Sequence, residues 1–147
     1  MILGPPVYAP EIRQGQVAIA ESGTLYFRTG DDLFYSKWIN EKFSPPIKLS
    51  GMINSPYAEG KPFIAPDESY LIFIRYDMPV SIDGGRGLYI SFKRGDGSWT
   101  PAKNTDLNGS LPKITPDGKY FFFSRGGDIY WMDAEIIENF KPIKEGK

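Results

Sequence analysis

Apolar and polar positions along this chain come in short bursts, each separated from the next by turn residues. The clearest stretch is residues 114–133, ITPDGKYFFFSRGGDIYWMD. It reads as a Pro116-Asp117-Gly118 turn, an apolar burst over 120–124, a turn at Gly126-Gly127 and a second burst over 128–132. Bursts this short, rich in aromatic and β-branched residues and bounded by Gly, Pro and Asp, predict strands. With residues 112–115 ahead of it, the stretch contains three strands. A second copy lies upstream: strands over 62–65, 70–75, 87–93 and 98–103, with a Pro66-Asp67-Glu68-Ser69 turn, a long loop over 76–86 and a hairpin turn at Gly95-Asp96-Gly97. A third, more degenerate copy places strands at 16–20, 24–28, 32–38 and 43–49, the last carrying Pro45 and Pro46. Proline in a strand belongs at a sheet edge, where one row of N–H groups needs no partner. Residues 134–142, AEIIENFKP, lose the β pattern and predict one or two helical turns closed by Pro142. Pro5, Pro6 and Pro10 keep residues 1–13 extended.

The copies align by counting. Ala20-Glu21 falls on Pro66-Asp67 at an offset of 46, and Pro66-Asp67 on Pro116-Asp117 at an offset of 50. Leu25, Leu71 and Phe121 correspond, as do Phe27, Phe73 and Phe123, and then Phe34, Tyr89 and Tyr130. A period near 45–50 with four strands per unit is the pattern of propeller blades. The expected fold class is all-β: three antiparallel four-stranded blades over about 14–50, 60–104 and 110–133, with a tail at 134–147. The last copy lacks a fourth strand. Residues 2–7 align with 48–53 at the offset of 46, so residues 1–7 read as a fourth-strand tail for a neighbouring blade. Three blades make an arc, whereas closed propellers take about 4–8. Two readings follow: two chains join head to tail into a six-bladed homodimer by exchanging N-terminal strands, or the chain is the C-terminal part of a longer propeller. Met1 is consistent with a natural start and favours the dimer.

The Pro-Asp-Gly turn, the aromatic strand ending Ser124-Arg125 and the run Asp128-Ile129-Tyr130-Trp131 resemble the TolB-type, WD-like propeller repeat, and Trp99-Thr100-Pro101 resembles that family's Trp-Ser-x-Pro element. The resemblance covers roughly residues 14–133. It departs from the pattern at Glu68, where glycine is usual, and at Ala20-Glu21, which replaces Pro-Asp. It implies a bacterial propeller, commonly extracytoplasmic or periplasmic, and says far more about fold than about function.

Composition narrows the chemistry. The chain contains neither Cys nor His, which excludes thiol catalysis, a Ser-His-Asp triad and His- or Cys-ligated metal sites; no cofactor is expected. Net charge is −1 and no Lys/Arg block stands out, so no nucleic-acid footprint is expected. No apolar run approaches the ~20 residues of a membrane span. The start lacks the form of a signal peptide, so the chain as it stands reads as cytoplasmic, or as periplasmic or secreted if it is part of a longer protein.

Candidate functional residues lie where the repeat is broken or could face the ring. The loop 76–86 is the non-repeated insertion, carrying Tyr76, Asp77, Asp83 and Arg86 next to Gly84-Gly85. Blade loops at a ring face are where function is usually grafted. Arg75 and Arg125 share one blade position and could bind an anion bidentately, or pair within the fold. Asp67 and Asp117 recur with the period and read as turn formers rather than catalytic carboxylates. The expected ligand-binding set is Arg75, Tyr76, Asp77, Asp83, Arg86 and Arg125, with no catalytic or metal residue. The expected function is a non-catalytic binding or scaffolding propeller that recognises a protein, peptide or glycan on a ring face. The alternative is a hydrolase or lyase of the carbohydrate-active type, using carboxylates of a central channel.

Overall fold

The computed structural model describes residues 17–82 and 84–143. In chain order its strands are β1 (Val17–Ile19), β2 (Leu25–Thr29), β3 (Asp32–Ser36), β4 (Trp38–Ile39), β5 (Lys42–Phe43), β6 (Ile47–Lys48), β7 (Ala58–Ile64), β8 (Tyr70–Tyr76), β9 (Gly87–Phe92), β10 (Lys103–Asn104), β11 (Ser110–Ile114), β12 (Tyr120–Arg125) and β13 (Asp128–Asp133). A 3₁₀ helix, Ala134–Phe140, follows, its N-terminus capped by the Asp133 carboxylate accepting from the Glu135 N–H at 2.9 Å. Three antiparallel meanders result, ordered β1-β2-β3-β6, β7-β8-β9-β10 and β11-β12-β13. Among the described residues no strand of the first sheet pairs with a strand of the third, so the array is open. The N-terminal strand expected to complete a neighbouring blade, and Asp83, lie outside the described residues.

Two elements differ from the expected strands. Residues 38–43 form their own two-stranded hairpin, β4–β5, turning through Asn40 and Glu41 at φ 50° and 60°. Pro45 and Pro46 then leave only Ile47–Lys48 to pair with β3. The fourth strand of the second sheet is likewise cut to Lys103–Asn104, because Pro101 has no N–H to donate.

The turn between the first two strands recurs three times. The N–H groups of Gly23, Glu68 and Gly118 donate to the carbonyls of Ala20, Ala65 and Thr115 at 2.9, 2.8 and 2.8 Å, and all three donors are left-handed, at φ 88°, 62° and 75°. The strand closure around the turn spans Ala20 to Thr24 in the first sheet, but Ala65 to Tyr70 and Thr115 to Tyr120 in the others. The first turn is therefore one residue shorter, and Ala20 takes the place of Ala65 rather than of Pro66.

The hydrophobic pattern follows from which sheet is covered. The second sheet is sandwiched: Leu71, Phe73 and Tyr89 pack towards the first sheet with Tyr26, Leu33 and Ile53. Ile72, Ile74, Leu88 and Ile90 pack towards the third sheet with Phe121, Phe123 and Ile137. Burial on both faces is why residues 70–74 read as an unbroken apolar run instead of an alternation. The third sheet is covered on one face by the second, and every residue of β13 except the half-buried Met132 is exposed. Among the described residues, no helix is long and apolar enough to cross a membrane.

Candidate functional site

The loop 76–86 is folded back on the second sheet. The Tyr89 hydroxyl donates to the Gly85 carbonyl at 2.6 Å and lies 3.1 Å from the Met78 sulfur, which is itself buried. A Cβ on Gly85 would meet Val80 Cα at 2.9 Å, and φ there is +85°, so close approach and backbone sign both call for glycine. Tyr76 ends β8 with two guanidiniums against its ring, Arg28 at 5.3 Å and Arg86 at 5.8 Å. Burial pushes its hydroxyl pKa up, and the two arginines pull it back. Arg86 is exposed and lines a hollow of about 370 Å³ with Val80, Asn104, Asp106 and Asn108. Asp77 is exposed, at φ 53°. The structure thus brings Tyr76 and Arg86 together, with Asp77 adjacent in the chain.

Arg75 and Arg125 occupy one repeated arrangement. Each guanidinium lies over an aromatic pair, Phe73 and Tyr89 for Arg75 (5.7 and 4.3 Å) and Phe123 and Tyr130 for Arg125 (5.5 and 5.1 Å). Each also donates to a backbone carbonyl ahead of its sheet's first strand, Ile53 at 2.8 Å and Asn108 at 2.5 Å. The two differ in one partner. Arg75 Nε is 3.1 Å from Glu59 Oε1, and the Glu59 side chain is fully buried. The same oxygen accepts from the Ser55 N–H at 3.0 Å and closely from its hydroxyl, while Oε2 has no partner among the described residues. Burial pushes the Glu59 carboxyl above its ordinary pKa, and Ser55 and Arg75 pull it down. In the third sheet Gly109 takes the place of Glu59, and a Cβ there would sit 2.5 Å from the Phe123 ring. With no carboxylate to pair, Arg125 stays exposed.

The recurring aspartates act locally. Asp67 accepts from the Ser69 N–H at 3.0 Å, and Asp117 from the Thr115 hydroxyl and the Lys119 N–H at 2.6 and 3.0 Å. These bonds hold both carboxyls below their ordinary pKa.

Sequence reasoning passed over a groove of about 560 Å³ at the seam between the first and second sheets, lined by Tyr26, Tyr35, Lys37, Lys48, Met52, Glu68, Lys93, Arg94 and Trp99 among others. Glu68 crosses that seam. Its carboxylate accepts from the Tyr26 hydroxyl at 2.6 Å and the Ser22 hydroxyl at 2.9 Å, and Lys93 Nζ is 3.5 Å away. Burial pushes Glu68 up, but the bonds from Tyr26, Ser22 and Lys93 outweigh it and the carboxyl titrates below its ordinary value. The available signal was the residue itself: glutamate in a left-handed turn position costs about 1–3 kcal/mol, and such strain persists where the surroundings hold it in place.

The far end of the array carries a second surface. On the face of the third sheet turned away from the second, Trp131 lies opposite Phe122, and Ile129 opposite Ser124. Ile129 and Trp131 are 76% and 64% exposed, and Tyr120 packs edge-on against Trp131 at 5.5 Å. At the opposite end, Val17 and Ile19 are exposed on the face of the first sheet turned away from the second.

No protein-family model and no curated protein matches the sequence. Among solved structures the chain is similar to TolB from Acinetobacter baumannii, with a TM-score of 0.55 and 13% identity over 83% of this chain and 30% of the TolB chain. The class this defines is an all-β, TolB-like β-propeller fold. The chain spans less than a third of that TolB, and at this identity the likeness concerns fold alone.

Proposed function

We propose that this chain is a non-catalytic, protein-binding propeller segment whose open ends are interaction surfaces. The observation that carries the reading is the exposed aromatic face of β12 and β13, centred on Trp131 and Ile129. β13 is also an edge strand among the described residues. An apolar face beside an open strand edge favours the docking of another sheet. A second copy of the chain supplies one in the form of its own first sheet, where Val17 and Ile19 are exposed, and head-to-tail pairing of two copies closes a ring of six blades. The reading extends to a ligand at the loop, met by Tyr76, Asp77 and Arg86, with the exposed Arg125 as a further cation; Arg75 is buried against Glu59 and the Ile53 carbonyl. The support for the loop ligand is the pairing of Tyr76 with the exposed Arg86 beside the smaller hollow.

Light scattering on the eluting protein tests the pairing. The wild type should run at twice the mass of one chain, and Trp131→Glu combined with Ile129→Lys should run at the mass of one chain with its circular dichroism unchanged. A wild type that stays monomeric across the working concentration range refutes the second-copy reading.

A further inference from the structure

We propose that the groove at the seam between the first two sheets is a second, separate binding site, and that it takes an acidic, extended peptide segment. The groove's volume of about 560 Å³ lies within the span of roughly 300–1,000 Å³ usual for ligand pockets. Its chemistry is one-sided. Lys37, Lys48, Lys93 and Arg94 line it, against the single carboxylate of Glu68, while the chain as a whole carries −1. Glu68 is already occupied by Tyr26, Ser22 and Lys93, which leaves the groove as a donor surface.

Trp99, 94% buried, forms part of its lining. Lys93 Nζ sits 5.4 Å from the Trp99 ring, and Arg94 is held in the wall by donating to the Trp99 carbonyl at 2.9 Å.

The apolar lining favours a peptide over a sugar. Tyr26 and Trp99 meet edge to face at 6.3 Å, and both rings are buried, so neither offers the open face on which a sugar ring stacks. The apolar surface that remains open includes Met52, 46% exposed and flexible, a side chain suited to irregular partner residues. The proposed occupant therefore presents carboxylates to Lys37 and Arg94, Lys48 being paired with Asp32 at 2.8 Å, and an apolar side chain to Met52 and Tyr35. This site is distinct from the open ends of the array and stands whether or not the chain pairs with a second copy.

The test is fluorescence anisotropy with a labelled ten-residue peptide of alternating glutamate and leucine, beside a lysine-leucine peptide and a serine-leucine peptide of equal length. The glutamate peptide should bind saturably and the other two should not. Lys37→Glu with Arg94→Glu, both on exposed rim residues, should weaken binding about tenfold or more, since two attractive pairs become repulsive. Equal binding by the charge-reversed variant overturns the proposal. So does displacement of the peptide by millimolar inorganic phosphate, which would mark a simple anion site, or by a neutral oligosaccharide. The dimer-face variant with Trp131→Glu and Ile129→Lys should bind the peptide as the wild type does, so failure at the open ends and failure at the groove are told apart.

Discussion

Removing Arg75 while leaving Glu59 in place should be a costly single change in the second sheet. Arg75→Met keeps most of the side-chain volume over Tyr89 and Phe73 but deletes the contact to Glu59 at 3.1 Å and the bond to the Ile53 carbonyl at 2.8 Å. Glu59 is then a fully buried carboxylate held only by Ser55, with Oε2 already lacking a partner among the described residues. Breaking a buried pair in this way costs about 3–5 kcal/mol. With a urea m-value of about 2 kcal/mol per molar, that moves the unfolding midpoint down by about 2 M. Replacing both partners, as Glu59→Leu with Arg75→Met, removes the stranded charge and should recover most of the loss. The pH dependence has a definite sign. Because the folded Glu59 carboxyl lies above its unfolded value, its contribution is fully present below the unfolded pKa and is lost as pH rises through the folded one. Without Arg75 the folded pKa climbs further, so the penalty of Arg75→Met should be smaller near about pH 4 than near about pH 8. Arg125→Met is the internal control: the same stacking and the same kind of carbonyl bond, no buried carboxylate, and an expected cost of about 1 kcal/mol. Tryptophan fluorescence in urea at the two pH values reads all four proteins. An equal penalty for Arg75→Met at both, or a double variant less stable than the single one, refutes the argument.

Two further perturbations probe the seam and the third sheet. Glu68→Gly relieves about 1–2 kcal/mol of left-handed strain but strips the buried Tyr26 hydroxyl of its acceptor, at about 1–3 kcal/mol. It should therefore be near neutral or mildly destabilising alone and stabilising by about 1 kcal/mol in a Tyr26→Phe background; a double-mutant cycle showing no coupling would sink the staple reading. Gly109→Ala places a methyl 2.5 Å from the Phe123 ring and 3.0 Å from the Ser124 carbonyl, and should cost about 1–3 kcal/mol by overpacking, read as a lowered melting temperature.

How much was legible in the sequence depended on whether a residue acts within its own sheet or across a seam. Strand order, two of the three recurring turns and the aromatic register of Phe27, Phe73 and Phe123 were legible, because short apolar bursts bounded by turn residues recur at a fixed period; the first turn, one residue shorter, was counted one position off. The helical tail was legible as far as its breaker, Pro142, but not its cap at Asp133. The short fourth strands and the β4–β5 hairpin were not. Proline limits pairing without saying where the chain goes next, and Asn40-Glu41 reads equally as a loop or as a two-residue hairpin turn. The burial of Arg75 was also hidden. Its partner Glu59 is sixteen positions upstream, and its counterpart position in the third sheet holds a glycine, so no periodicity announces the pair. These cases give a physical rule for reading such a chain. Residues that recur with the repeat, such as Asp67 and Asp117 or the two stacked arginines, are accounted for by bonds inside one sheet. Residues that break it where the backbone resists them mark contacts between sheets. Glu68 is the sharpest instance: a side chain placed where glycine is favoured, bonded to Ser22 and Tyr26 of another sheet, in the lining of the groove between the two sheets. The strain is local and its compensation lies across the seam. The groove beside it is therefore a feature held open by specific bonds rather than a gap left between loosely packed sheets.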